Sequence, residues 1–102
     1  MLLVLTSSPH SPAGERALEL AESLADQGHA LTLCCLQDAV CLAASERARP
    51  RLRRLMGSGV RCVVLEDDLK MRGLRAFEET SVVDRKAVVS LLADHDRVVG
   101  AL

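Results

Sequence analysis

The chain has no tryptophan, no tyrosine and a single phenylalanine, Phe77. Single-stranded nucleic acids are held largely by stacking bases on aromatic rings, so a chain this poor in rings is not expected to bind them directly. An excess of charge is missing too: 13 Lys and Arg stand against 14 Asp and Glu, for a formal net charge of −1. No long-range field draws it to duplex DNA or to an anionic membrane. No stretch approaches the ~18 consecutive apolar residues of a membrane-spanning helix. The opening Met1-Leu2-Leu3-Val4-Leu5 is too short for a signal-peptide core and has no basic flank. The expected location is cytoplasmic, with no membrane partner. Cysteines occur at positions 34, 35, 41 and 62, with no Cys-x-x-Cys pair. That spacing argues against zinc, and the compartment argues for free thiols. There is no Gly-x-Gly-x-x-Gly and no Walker lysine, so neither a metal nor a cofactor is expected.

What is present is aliphatic. Apolar residues make up 49% of the 102 positions, mostly Leu, Val and Ala. That length supports one domain with one core, residues 1–102. A buried aliphatic side chain contributes only ~1.5–3 kcal/mol, so the core is lean and association with other subunits is expected on that ground. The one basic cluster, Arg47, Arg49, Arg51, Arg53 and Arg54, reads as the solvated face of a helix, with an anion or acidic-partner patch as the alternative.

The patterning alternates. Residues 2–6 read as a central strand, 7–14 as a polar loop, and 15–27 as an amphipathic helix with Ala17, Leu18, Ala21, Leu24 and Ala25 on one face, closed by Gly28. Residues 30–36 form a second buried strand. Asp38 is expected to cap a second helix carrying Val40, Cys41, Leu42 and Ala44, which Pro50 interrupts before a further turn through Met56. After the Gly57-Ser58-Gly59 turn comes strand 60–65. It runs into a short helix, 66–71, whose Glu66-Asp67-Asp68 opening suits the positive end of a helix and which Gly73 can close in a left-handed conformation. A loop spans 74–80. Strand 81–83, a helix 85–93 capped by Asp84, and a last strand 97–102 complete a βαβαβαβαβ order. That order predicts an α/β fold: a single doubly wound parallel sheet of about five strands in three α/β/α layers, with a flavodoxin-like strand order.

Such folds place their sites at the carboxyl ends of the strands. There the sequence gathers Ser7, Ser8 and His10 in the first loop, Gln37 and Asp38 after the second strand, and Glu66, Asp67 and Arg72 around the third strand's helix; all are candidate binding residues. The hydroxyl-rich loop 7–14 is a candidate anion cradle, against the simpler reading of a capped surface loop. Cys41, expected in the first turn of its helix where amide dipoles favour a thiolate, is the candidate nucleophile, against the reading of a small buried apolar residue. Cys34, Cys35 and Cys62 lie inside strands and read as inert core. His10, His29 and His95 stand apart, and no Ser-His-Asp triad is assigned. Glu66-Asp67-Asp68 has no histidine beside it in sequence, so capping accounts for it better than acid–base work.

These segments resemble the DsrE/DsrF/DsrH-like family, which includes the TusBCD subunits of the sulfur relay. Leu36-Gln37-Asp38-Ala39-Val40 is similar to the family's strand-to-helix segment, usually ending Gln/His-Asp-Gly-Val. Asp68-Leu69-Lys70-Met71-Arg72-Gly73-Leu74 is similar to the DsrH/TusB branch, as are Val82-Val83-Asp84 and His95-Asp96-Arg97-Val98-Val99. The resemblance implies a small α/β subunit in a homo- or hetero-oligomer of similar subunits, a trimer or hexamer. It also implies a role in passing persulfide sulfur, for tRNA thiolation or sulfur oxidation, with a sulfur carrier protein as a further partner. In the DsrE/TusD branch the sulfur-carrying cysteine ends the third strand, where this chain has Leu65. The cysteine that DsrH-type chains often carry in the first helix is absent from residues 15–27. The family's usual glycine is Ala39, and the usual C-terminal tryptophan is missing. The expected role is therefore a non-catalytic or weakly catalytic subunit of a sulfur-relay assembly. The alternatives are a thiol sulfurtransferase using Cys41 and a small homo-oligomeric anion-binding module.

Overall fold

A computed structural model describes residues 1–101. Leu102, expected at the end of the last strand, lies outside the described residues. The elements are β1 (Leu2–Leu5), α1 (Pro12–Asp26), β2 (Thr32–Cys35), a 3-10 helix (Gln37–Ala43), α2 (Arg49–Gly57), β3 (Arg61–Leu65), α3 (Glu66–Met71), β4 (Ser81–Val83), α4 (Arg85–Asp94) and β5 (Val98–Ala101). All five strands are parallel and form one sheet. The expected α/β class with a single parallel sheet of five strands is what the chain adopts.

The strand order is β4-β3-β2-β1-β5. It differs from the flavodoxin-like order, in which the chain reverses after its first two strands. Here β2, β3 and β4 are added in one direction and only β5 returns, to the free side of β1. Parallel crossovers are right-handed, so three steps in one direction put their helices on one face, and the single reversal puts α4 on the other. The two cores follow. On the first face Leu3, Leu5, Leu33, Cys35, Cys62 and Val64 meet Ala17, Leu18 and Ala21 of α1, the 3-10 helix, Leu52 and Leu55 of α2, and Leu69 of α3. On the second, Leu2, Cys34 and Leu65 meet Val88, with Val4, Val83 and Leu91 beside them.

Several local expectations need correction. The first helix begins at Pro12 rather than at residue 15, because Ser11 caps it: the Ser11 hydroxyl oxygen accepts from the Gly14 amide at 3.0 Å. Proline is tolerated at a first helical position, where its missing N–H has no intrahelical partner anyway. The second helix is two pieces, the 3-10 helix and α2, with Pro50 inside the first turn of α2. Asp38 does not cap it. The cap position is Leu36, with no side-chain cap bond. Nor do Glu66, Asp67 and Asp68 cap α3, whose cap position is Leu65. They are its first three residues, so their charges still meet the positive end of the helix. Gly73 behaves as read, with φ of 62°; its amide donates to the Lys70 carbonyl at 3.1 Å, and the Leu74 amide donates to that of Leu69 at 3.0 Å. Asp84 caps α4 as expected, accepting from the Ala87 amide at 2.9 Å. The loop 74–80 is pinned at its centre: the Phe77 amide donates to the Ala43 carbonyl at 2.7 Å, and the Thr80 hydroxyl donates to the Phe77 carbonyl at 2.8 Å.

Candidate functional site

Because every strand is parallel, the segments that leave β1, β2 and β3 emerge at one edge of the sheet. The segment after β2 turns sharply at Gln37, whose φ of 51° is the only positive value at a non-glycine among the described residues. For an L-residue a left-handed backbone costs roughly 1–2 kcal/mol, so neighbouring groups must hold it. They do so from α3. The Gln37 amide donates to Asp68 Oδ2 at 2.7 Å. Arg72, one turn after Asp68, donates through Nη1 to the Asp68 carbonyl at 3.1 Å and pairs with Asp68 Oδ1 at 3.7 Å. The other side of the same guanidinium donates to Asp38 Oδ1, from Nε at 3.1 Å and Nη2 at 3.0 Å. Arg72 thus ties the start of the 3-10 helix to α3.

Of the sequence candidates, Gln37, Asp38 and Arg72 therefore come together, and the carboxylate that joins them is Asp68. Glu66 pairs instead with Lys70 at 3.1 Å, and Asp67 with Arg85 at 3.2 Å. Successive helical residues point about 100° apart, so only one of the three carboxylates can face the β2 turn. The i, i+4 spacing of Asp68 and Arg72 was the available sequence signal.

The loop after β1 is bonded largely within itself. The Ser11 amide and hydroxyl both donate to the Ser8 carbonyl, at 3.0 and 2.7 Å, and the His10 amide donates to the Ser8 hydroxyl at 3.3 Å. His10 reaches across to the residues after the 3-10 helix, where Nε2 and Ser45 Oγ lie 3.0 Å apart. Ser45 had no motif to mark it. His10 and Ser45 line a shallow cavity of about 250 Å³ together with Cys41, Ala44 and Leu74. Ser7 stays in the same loop, at intermediate exposure.

Cys41 is the one thiol not fully buried. It is the fifth of seven residues in the 3-10 helix, not in its first turn. Its own carbonyl accepts from the amides of Ala44 and Ser45, at 3.1 and 2.8 Å. Cys41 therefore lies toward the C-terminal end of that helix rather than at its N-terminus. Cys35 and Cys62 lie Sγ to Sγ at 4.0 Å in the first core. The hydrogen bond with Cys62, added to burial, pushes the Cys35 thiol well up. Burial, and then the neighbouring Cys62, push Cys34 up as well. Among the described residues no group of three or more His, Cys, Asp or Glu is arranged to hold a metal. None of their helices is long and apolar enough to cross a membrane.

The arginine cluster is largely answered from within the chain. Arg51 holds Glu22, at 2.6 Å, and Glu15. Arg49 pairs with Glu46 at 3.5 Å and with Glu79 at 3.2 Å, its guanidinium lying 4.2 Å from the centre of the Phe77 ring, and Arg53 also meets Glu79 at 3.2 Å. The solvated-face reading describes these residues better than an open anion patch.

Comparison with known proteins agrees with this architecture. The model of the family described as DsrH like protein matches residues 10–98. No curated protein matches the sequence. Among solved structures, the chain superposes on the ychN protein of E. coli with a TM-score of 0.82 at 17% identity, over 97% of both chains. It superposes on MTH1491 of Methanobacterium thermoautotrophicum, a protein of unknown function, with a TM-score of 0.80 at 14% identity, over 97% and 96% of the two chains. It superposes on the conserved protein BT1422 of Bacteroides thetaiotaomicron with a TM-score of 0.76 at 12% identity, over 97% and 92%. At these identities the three structures share the fold.

Proposed function

Because the chain belongs to the DsrH-like family, we propose that it is a non-catalytic or weakly catalytic subunit of a sulfur-relay assembly. In this reading it sits in the cytoplasm and associates with similar small subunits as a trimer or hexamer. The assembly passes persulfide sulfur toward tRNA thiolation or sulfur oxidation and receives or delivers it through a carrier protein. One observation carries the reading: three of the chain's four thiols are withdrawn into the core. Cys34, Cys35 and Cys62 are buried, and β3 ends in Leu65, an apolar side chain, at the edge where sulfur would be handled. The groups at that edge, exposed Gln37 and Asp38 and half-buried Arg72, are polar and charged, which suits contact with a neighbour rather than attack on sulfur.

A second reading is favoured by the cavity at Cys41. There a partly exposed thiol shares a pocket with His10 and Ser45, and a histidine close to a thiol can take its proton. Cys41 would then accept a sulfane sulfur itself. One experiment separates the two. The chain is treated with a small-molecule persulfide donor and analysed unreduced by native mass spectrometry. The subunit reading expects no stoichiometric sulfur adduct and co-purification with related small subunits. A full adduct on Cys41 that disappears in Cys41→Ser would establish the second reading in its place.

A further inference from the structure

The single reversal of the chain leaves α4 alone on its face of the sheet. Val88 and Leu91 pack inward against Leu2, Cys34 and Leu65. On the outer side Val89 and Leu92 remain 63% and 42% exposed, and Val98, on the same sheet face by its register with Leu2, is 43% exposed. Ser90 and Ala93, also on the outer side of α4, are small and exposed, so another helix can come close.

The charges on α4 stand at the wrong ends for an isolated helix. Arg85 and Lys86 open its first turn, and Asp94 closes its last. A helix favours acids at its start and bases at its end. Arg85 has Asp67 beside it at 3.2 Å. Lys86 and Asp94 have no ion pair among the described residues. At about 100° per residue, Lys86, Ser90 and Asp94 share one outer flank of α4, and Val89 and Leu92 share the other.

We propose that a second copy of this chain packs against α4, helix antiparallel to helix, about a two-fold axis passing beside Ser90. A two-fold contact requires one surface to complement itself. This flank does so: Lys86 meets the partner's Asp94, and the partner's Lys86 meets Asp94. On the other flank Val89 meets the partner's Leu92. Each lysine then lies beside the negative end of the partner helix, and each aspartate beside its positive end. The charges that oppose their own helix favour the neighbouring one. A different subunit would need a matching face of its own but would not require this palindromic order, which is why the second copy is favoured. The proposal rests on the subunit reading only in that copies associate, and it needs no sulfur chemistry.

The test is a charge exchange followed by sedimentation over a range of concentrations. Lys86→Asp sets aspartate against aspartate across the axis, and Asp94→Lys sets lysine against lysine. Each variant alone is expected to weaken self-association roughly tenfold or more. Both should keep the parent circular dichroism, because each relieves the conflict with the helix dipole. Mixed in equal amounts, the two variants restore both lysine–aspartate contacts and should associate with near-parent affinity. Three results overturn the proposal: variants that self-associate like the parent, a mixture that fails to recover, or a parent that stays monomeric until a different subunit is added. Persulfide loading is measured separately, so failure of the relay reading and failure of this contact are distinguishable.

Discussion

Gly14→Ala is expected to destabilise the protein although the residue lies inside a helix, where glycine-to-alanine changes ordinarily help by ~1 kcal/mol. The reason is the approach of the loop. A Cβ at Gly14 would stand 1.8 Å from the Ser8 carbonyl oxygen and 2.6 Å from its carbon, both backbone atoms. The loop must move, and that same carbonyl accepts from the Ser11 amide and hydroxyl. Losing those two bonds costs about 1 kcal/mol each. Disturbing the Ser11 cap costs about 1 kcal/mol more. Against the ~1 kcal/mol of helix propensity the net loss is about 2 kcal/mol, or roughly 8–16 °C in Tm for a domain near this size. Gly57→Ala is the control. It lies at the end of α2 with nothing within 4 Å of its new Cβ, and should gain ~0.4–1 kcal/mol. The assay is thermal unfolding by circular dichroism at one fixed protein concentration, since association shifts apparent stability. A Gly14→Ala protein that melts at or above the parent would refute the argument that this close approach sets the start of α1.

Other outcomes are open to measurement. Arg72→Ala should lower stability by ~1–2 kcal/mol in denaturant titration, because it leaves Asp38 and Asp68 facing each other across the β2 turn. Gln37→Gly should raise stability by ~0.5–1 kcal/mol, the relief of left-handed strain less the added chain entropy of glycine. Acid should weaken the fold through Glu22, whose carboxyl is held below the usual glutamate range by the hydrogen bond from Arg51, against an opposing push from burial. The folded pKa is the lower one, so this contribution is whole above the unfolded value and is lost as pH falls through the folded one; Arg51→Met should flatten that acid limb. Iodoacetamide should modify Cys41 alone in the folded protein, and all four thiols only after unfolding.

Element type was legible in the sequence wherever one signal dominated. The run Cys62 to Leu65, the acidic start of α3 and Gly73 gave that unit its observed ends, and Asp84 gave the start of α4. Errors fell where two signals competed. Pro9 and Pro12 looked like loop, yet Pro12 lies in the first turn of a helix once Ser11 caps it. Asp38 and Glu66-Asp67-Asp68 looked like caps by residue type, but a cap depends on the backbone angle of the residue before the helix, which Leu36 and Leu65 supply. The i, i+4 spacing marks Asp68 as the helical partner of Arg72, but that this pair holds Gln37 and Asp38 could not be read without knowing which face of α3 meets the β2 turn. The His10–Ser45 contact joins residues 35 apart, a pairing that only the packed fold creates.

Strand order was the least legible feature and has the largest consequence. Helix and strand patterning fixes neither the direction in which each strand is added nor the point of reversal. Here the reversal comes after β4, so handedness sends α1, α2 and α3 to one face and α4 to the other. The first face closes almost entirely, with Leu33, Val40, Leu52 and Val64 fully buried. The second is covered by one ten-residue helix, and aliphatic surface on α4 and β5 is left over. A chain with one phenylalanine and no larger ring has no bulky side chain to spread across that gap from within. The contact proposed for α4 would supply that cover from a second copy, on the face that the topology leaves with a single helix.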